Sequence, residues 1–167
     1  MGRTRNSRVA RGRSRSSGAA ATDTFLAAYD LDVVPWASWS TASGFTPVRT
    51  NSSTYLSMGY LNETAGDADV NDYAEWSVCL GAGTYTFTAI GQTAADAGIV
   101  TYALDGASLG TLDWYSAGTV ANVVKQLTSL TVAGGVQTLR ATVTSKHASS
   151  SDYRMAHQWF TFTRTGA

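Results

Sequence analysis

Thr84-Tyr85-Thr86-Phe87-Thr88-Ala89-Ile90 decides the fold class. Tyr85, Phe87 and Ala89 fall on alternate positions, with threonines between them. In an extended chain successive side chains point to opposite faces, so this run has one apolar face and one hydroxylated face. A helix would scatter the same residues around its circumference. Threonine and the aromatics also suit a pleated, half-buried surface. The run therefore reads as a strand covering a core on one side and facing water on the other.

The same reading extends outward. Strands are expected over residues 54–61, 73–80, 99–104, 108–114, 122–132, 136–144 and 156–164. In the last of these Phe160 and Phe162 share a face. Turn signals separate them. Gly81-Ala82-Gly83 joins two strands, and Ala133-Gly134-Gly135 joins another pair. Leu104-Asp105-Gly106-Ala107 is a hairpin signal, because Asp-Gly suits a two-residue turn with positive φ. No 12-residue stretch keeps a helical period. Short strands at regular spacing indicate an all-β chain, an antiparallel β-sandwich or jelly roll.

Charge divides the 167 residues in two. Arg3, Arg5, Arg8, Arg11, Arg13 and Arg15 precede residue 18, where there is no acidic residue. Beyond it lie six basic and all 12 acidic residues, so an arm of +6 precedes a body of −6. The division expected is an Arg-rich extended N-terminal arm and hinge over 1–22 and a sandwich domain over 23–167. Larger apolar side chains in residues 1–17 are limited to Met1 and Val9, so the arm has no amphipathic face and cannot order itself. No apolar run suits a signal peptide or a membrane span, so no membrane partner is expected. The single cysteine, Cys79, sits in an alternating apolar run and reads as a buried small hydrophobe.

Motifs between residues 71 and 165 resemble a jelly-roll domain of tailed-phage virion proteins. They are Asn71-Asp72-Tyr73-Ala74-Glu75-Trp76, Gly81-Ala82-Gly83-Thr84-Tyr85-Thr86-Phe87 and Gly98-Ile99-Val100-Thr101-Tyr102-Ala103-Leu104-Asp105-Gly106. Leu109-Gly110-Thr111-Leu112-Asp113-Trp114-Tyr115, Lys146-His147-Ala148-Ser149-Ser150-Ser151-Asp152-Tyr153 and Phe160-Thr161-Phe162-Thr163-Arg164-Thr165 complete the set. Such domains are similar to carbohydrate-binding modules with a galactose-binding-like sandwich. In phages they occur in capsid decoration proteins, head fibres and tail fibres. The resemblance implies a virion surface protein.

Candidate sites follow from residue chemistry. Six guanidiniums with Gly and Ser spacers can hold phosphates or an acidic protein surface. An acidic body would be repelled by nucleic acid, so an arm threading along a partner protein is preferred over genome contact. Asp67, Asp69, Asn71 and Asp72 approach calcium-loop spacing, but an EF-hand needs glycine where Asp72 stands and glutamate where Val78 stands. They form a weak calcium candidate, with a solvated loop as the simpler reading. His147 and His157 lack ligand-spaced partners for zinc. Glu75 and Asp113 could be imagined as a glycosidase pair, although Glu75 reads more simply as pairing at a strand start. No catalytic motif is present, so no enzyme activity and no cofactor are expected. Trp36, Trp39, Trp114 and Tyr115 are the aromatics suited to glycan stacking or an interface, with Trp76 and Trp159 assigned to the core.

The function expected from these features is a non-enzymatic capsid decoration protein on the virion surface. Its arm would lie along the major capsid protein or another virion protein, and the body would form a trimer or other small oligomer. The alternatives are a carbohydrate-binding host-recognition module with Trp114 or Tyr115 as its platform, and a coat protein whose arm binds the genome.

Overall fold

Alternating apolar residues carry the body into paired strands. The computed structural model describes residues 68–167 in full and, before them, four short strands. These are β1 (Leu31–Val33), β2 (Trp39–Ser43), β3 (Val48–Thr50) and β4 (Tyr60–Asn62). The later strands are β5 (Tyr73–Leu80), β6 (Gly83–Thr93), β7 (Gly98–Leu104), β8 (Ala107–Asp113), β9 (Val120–Val132), β10 (Gly135–Lys146) and β11 (Ala156–Gly166). Among the described residues no helix forms, and every named pairing is antiparallel. The arm and the expected boundary at residue 22 lie outside the described residues.

One sheet has the order β3-β4-β11-β6-β9, with β1 also on β11; the other has the order β2-β5-β10-β7-β8. The inward faces meet as a single core. β5 contributes Ala74, Trp76, Val78 and Leu80, while β7 contributes Val100, Tyr102 and Leu104. From the opposite sheet come Tyr85, Phe87 and Ala89 on β6 and Phe160 and Phe162 on β11, as their period of two requires. Phe87 sits in the middle, its ring 5.0 Å from Tyr102, 5.6 Å from Phe160 and 5.1 Å from Phe162.

Three short turns occupy one end of the sandwich. Asp105 and Gly106 adopt φ of 47° and 81°, the positive pair that a two-residue hairpin needs. The Asp105 carboxylate also accepts the Thr138 N–H at 2.7 Å, which docks the hairpin on β10. The other two turns cross between sheets, from β5 to β6 and from β9 to β10. They press together at Gly134, where φ is 87° and a Cβ would lie 2.6 Å from the Ala82 nitrogen.

Two sequence expectations change. Cys79 is exposed, because Val78 and Leu80 take the inward positions and leave Cys79 on the outer face with Ser77. Trp159 is half-buried rather than interior, since Phe160 beside it faces the core. Of the strand expected over 54–61, Tyr60 and Leu61 fall in β4 (Tyr60–Asn62), and 54–59 lie outside the described residues.

Candidate functional site

The opposite end of the sandwich carries the longer connections, loops 94–97, 114–119 and 147–155. Functional groups concentrate where a rigid scaffold presents loops. Here the loops are tied together. Loop 94–97 is clasped on both sides, with Ala94 bridged to Tyr115 and Ala97 bridged to Arg154. The Ser116 N–H donates to the Ala94 carbonyl at 3.1 Å, and the Ser151 N–H to the Ala95 carbonyl at 2.9 Å. The Ser150 hydroxyl is buried against the carbonyls of Ala97 and Asp152, at 2.9 and 2.8 Å. With each loop's backbone satisfied by its neighbour, the end is built as a unit.

Between them opens a cleft of about 350 Å³, lined by Gln92, Ala94, Ala95, Asp96, Thr119, Ser151 and Arg154. Arg154 is its strut: Nη2 donates to Gln92 Oε1 at 2.7 Å, and Nε lies 3.3 Å from Asp96 Oδ1. The Arg154 N–H donates to the Asp96 carbonyl at 3.0 Å. A carboxylate, an amide, two hydroxyls and a guanidinium thus converge on one small volume. That is a set of donors and acceptors suited to a polyhydroxylated ligand.

Two other concavities are less suited. The first, about 570 Å³ on the outer face of the β5-containing sheet, is lined by Glu75, Thr138, Arg140 and Asp105. Its charges are spent on each other: Arg140 Nη2 lies 2.5 Å from Glu75 Oε1, and the guanidinium covers the Tyr73 ring at 4.1 Å. The Glu75 pairing agrees with the role expected for it. The second is a groove of about 440 Å³ where the edge strands β8 and β9 approach, between Leu104, Leu109 and Leu130.

The expected site residues disperse. Arg3, Arg5, Arg8, Arg11, Arg13, Arg15, Trp36 and Asp67 lie outside the described residues, and Trp39 is described only through the pairing of β2 with Trp76. Trp114 is 1% exposed and cannot serve as a glycan platform. Its Nε1–H donates to the Tyr102 oxygen at 3.1 Å, and Tyr102 in turn meets His157 Nε2 at 2.9 Å. With the indole proton on its oxygen, the Tyr102 hydroxyl donates to His157 Nε2, which fixes the imidazole proton on Nδ1. Burial pushes the His157 pKa down to about 3 and the Tyr102 pKa well up, so both are neutral at pH 7. Tyr115 is the outward member of the pair, half-buried and stacked on His147 with ring centroids 4.2 Å apart.

Asp69, Asn71 and Asp72 make a turn. Asp72 Oδ2 accepts the Asp69 N–H and Asp69 Oδ1 accepts the Val70 N–H, each at 2.7 Å, while Asn71 takes φ of 77°. Among the described residues no group of three His, Cys, Asp or Glu side chains is placed to hold a metal. Glu75 and Asp113 are on strands three steps apart in one sheet, about 14 Å at the usual strand spacing, too far for a glycosidase pair.

Comparison with known proteins places the fold. No family model matches the chain, and no curated protein does. Solved structures do. A xanthan lyase from Paenibacillus matches with a TM-score of 0.65 and 24% identity, covering 80% of this chain. This chain spans only 13% of that enzyme's length. The CBM36-1 domain of a multidomain xylanase from the hindgut metagenome of Trinervitermes trinervoides matches at a TM-score of 0.61 and 17% identity, covering 83% of this chain and 100% of that one. A carbohydrate-binding module from a Cellvibrio mixtus lichenase, solved with cellotriose, matches at 0.59 and 16%, covering 81% and 97%. The fold is thus the jelly-roll sandwich of carbohydrate-binding modules. The tailed-phage virion assignment expected from the motifs finds no support in these matches, and neither does a capsid partner.

Sequence reasoning missed Gln92, Asp96, Thr119, Ser151 and Arg154. Gln92 lies near the end of β6, and the others are ordinary polar residues spread over three loops. The one signal available was that all follow or precede strands at the same end of a sandwich.

Proposed function

We propose that this protein is a non-catalytic carbohydrate-binding module that holds a sugar in the loop-end cleft. The observation that carries the reading is the clasped cleft of Gln92, Asp96, Thr119, Ser151 and Arg154, on the loop-bearing end of this fold. Sugars offer hydroxyls that donate to a carboxylate or an amide oxygen and accept from an amide N–H or a guanidinium. The Tyr115 ring on loop 114–119 supplies an apolar surface suited to sugar C–H faces.

Calcium does not fit this cleft. One carboxylate, Asp96, lies there beside a guanidinium, and that charge opposes a divalent cation. Sugar contact is therefore direct, and chelation with EDTA is expected to leave affinity unchanged. The deciding experiment is a glycan array followed by titration calorimetry. Neutral plant-type oligosaccharides should bind, and a Thr119→Ala, Ser151→Ala double variant should bind about tenfold more weakly. A protein that binds no glycan on the array, neutral or acidic, sinks the reading.

A second role rests on the charge split. The six arginines of the arm suit attachment to an acidic surface, which would tether the module while its cleft stays free. Deleting residues 1–17 should abolish retention on a polyanionic matrix at low salt and leave the folding of the body and its glycan affinity unchanged. Equal retention of the truncated and full chains would contradict it.

A further inference from the structure

We infer that the cleft selects an uncharged sugar presenting adjacent free hydroxyls and rejects uronates, with Asp96 setting that choice. The inference rests on the carbohydrate-binding reading and adds its ligand class. Asp96 and Arg154 are the two charged side chains in the cleft lining, and they are unequally available. The Arg154 side chain is 13% exposed and the Asp96 side chain 31%.

Arg154 is also committed to the protein. Its Nη2 is on Gln92, its Nε faces Asp96, its N–H is on the Asp96 carbonyl and its carbonyl accepts the Gly98 N–H. With its side chain less exposed than that of Asp96, the guanidinium sits behind the carboxylate it faces. The charge that a ligand meets is the carboxylate. Ionised carboxylates only accept, and their two oxygens provide about four acceptor sites. One Asp96 oxygen faces Arg154, and the remaining capacity suits a pair of hydroxyl donors on neighbouring sugar carbons.

A uronate would bring a second carboxylate against the first in a half-buried setting, where like charges are poorly screened. A cationic amino sugar would be drawn by Asp96 and opposed by Arg154 3.3 Å behind it, so the pair gives it little net gain. The rest of the lining, Gln92, Ala94, Ala95, Thr119 and Ser151, is neutral. A neutral polyol is the ligand that satisfies the set without opposing either charge.

The test is calorimetric titration of the full chain with neutral gluco- and xylo-oligosaccharides and with the same backbones carrying a glucuronate. The neutral forms are expected to bind at least about tenfold more tightly. With Asp96→Asn the preference should vanish or invert, because Arg154 then dominates the cleft. Asp105→Asn, in the hairpin at the other end, should leave the preference intact. Raising salt should narrow it in the unaltered protein, a readout that requires no variant and that steric exclusion would not produce. Equal affinity for uronate and neutral forms overturns the inference while leaving carbohydrate binding in place. So does a preference that Asp96→Asn or salt leaves unmoved. Absence of binding to every glycan removes the carbohydrate reading and this inference with it.

Discussion

Replacing Phe87 with alanine is expected to lower stability by about 3–5 kcal/mol. Phe87 is fully buried at the centre of the sandwich. It touches Phe160 and Phe162 in its own sheet and Tyr102 in the opposite one, all with ring centroids within 5.6 Å. Removing the ring forfeits its transfer free energy and leaves a cavity that two paired sheets cannot easily close. Domains of this size have about 5–15 kcal/mol in total, so the loss is a large share. Chemical denaturation should show the midpoint falling by about 2 M urea with an unchanged slope. Thr86→Ala, on the same strand with its side chain on the other face, is expected to cost less than about 1 kcal/mol. Equal midpoints for the two variants would mean that the core is not organised around Phe87.

The second large effect is acid destabilisation through His157. In the folded chain burial holds its pKa at about 3, whereas an unfolded histidine takes a proton near 6.5. Between those values the unfolded chain binds the additional proton, so acid favours unfolding and stability rises with pH. The contribution is complete above pH 6.5 and is lost as pH falls toward about 3. Its full size is about 5 kcal/mol. Tyr102 and Trp114 face the imidazole, with ring centroids 5.7 and 5.0 Å away. The Lys125 ammonium lies over the Trp114 ring at 5.4 Å and bonds to the Asp113 carbonyl. These surroundings offer an imidazolium no carboxylate. Denaturation midpoints measured from pH 7 to pH 4 should fall steeply. His157→Gln keeps an acceptor for the Tyr102 hydroxyl without a titrating ring, so its midpoints should change much less over the same range. Parallel pH profiles for the two proteins would contradict the assignment.

The legible parts of the fold were those with enough alternating residues to define a face. Ala74, Trp76, Val78 and Leu80 outline β5, and its expected bounds coincide with the structure. The β7–β8 hairpin was readable because Asp105-Gly106 has few other conformational uses. By contrast, β1 and β3 have three residues each and β2 has five, too short for a period of two to stand out. Cys79 was assigned by residue type rather than by phase, and phase prevailed.

The site was less legible. Adjacency on a strand implied that Trp114 and Tyr115 face opposite ways, but not which ring turns inward. Tyr102, 12 residues away, and His157, bonded to Tyr102 across 55 residues, made that choice by giving the indole nitrogen a buried partner. The bond that braces the cleft, from Arg154 to Gln92, spans 62 residues.

Strand formation, the hairpin turn and the separation of a basic arm from an acidic body were determined by the sequence alone. Each depends on neighbours within a few residues, where extended geometry and turn chemistry act directly. The buried Trp114-Tyr102-His157 chain, the exposure of Asp96 over Arg154 and the meeting of three loops around one cleft were decided only in the tertiary structure. The physical reason is that the chain crosses repeatedly between two sheets. Those crossings, rather than any local pattern, set which distant polar groups share an end of the sandwich and which are enclosed within it.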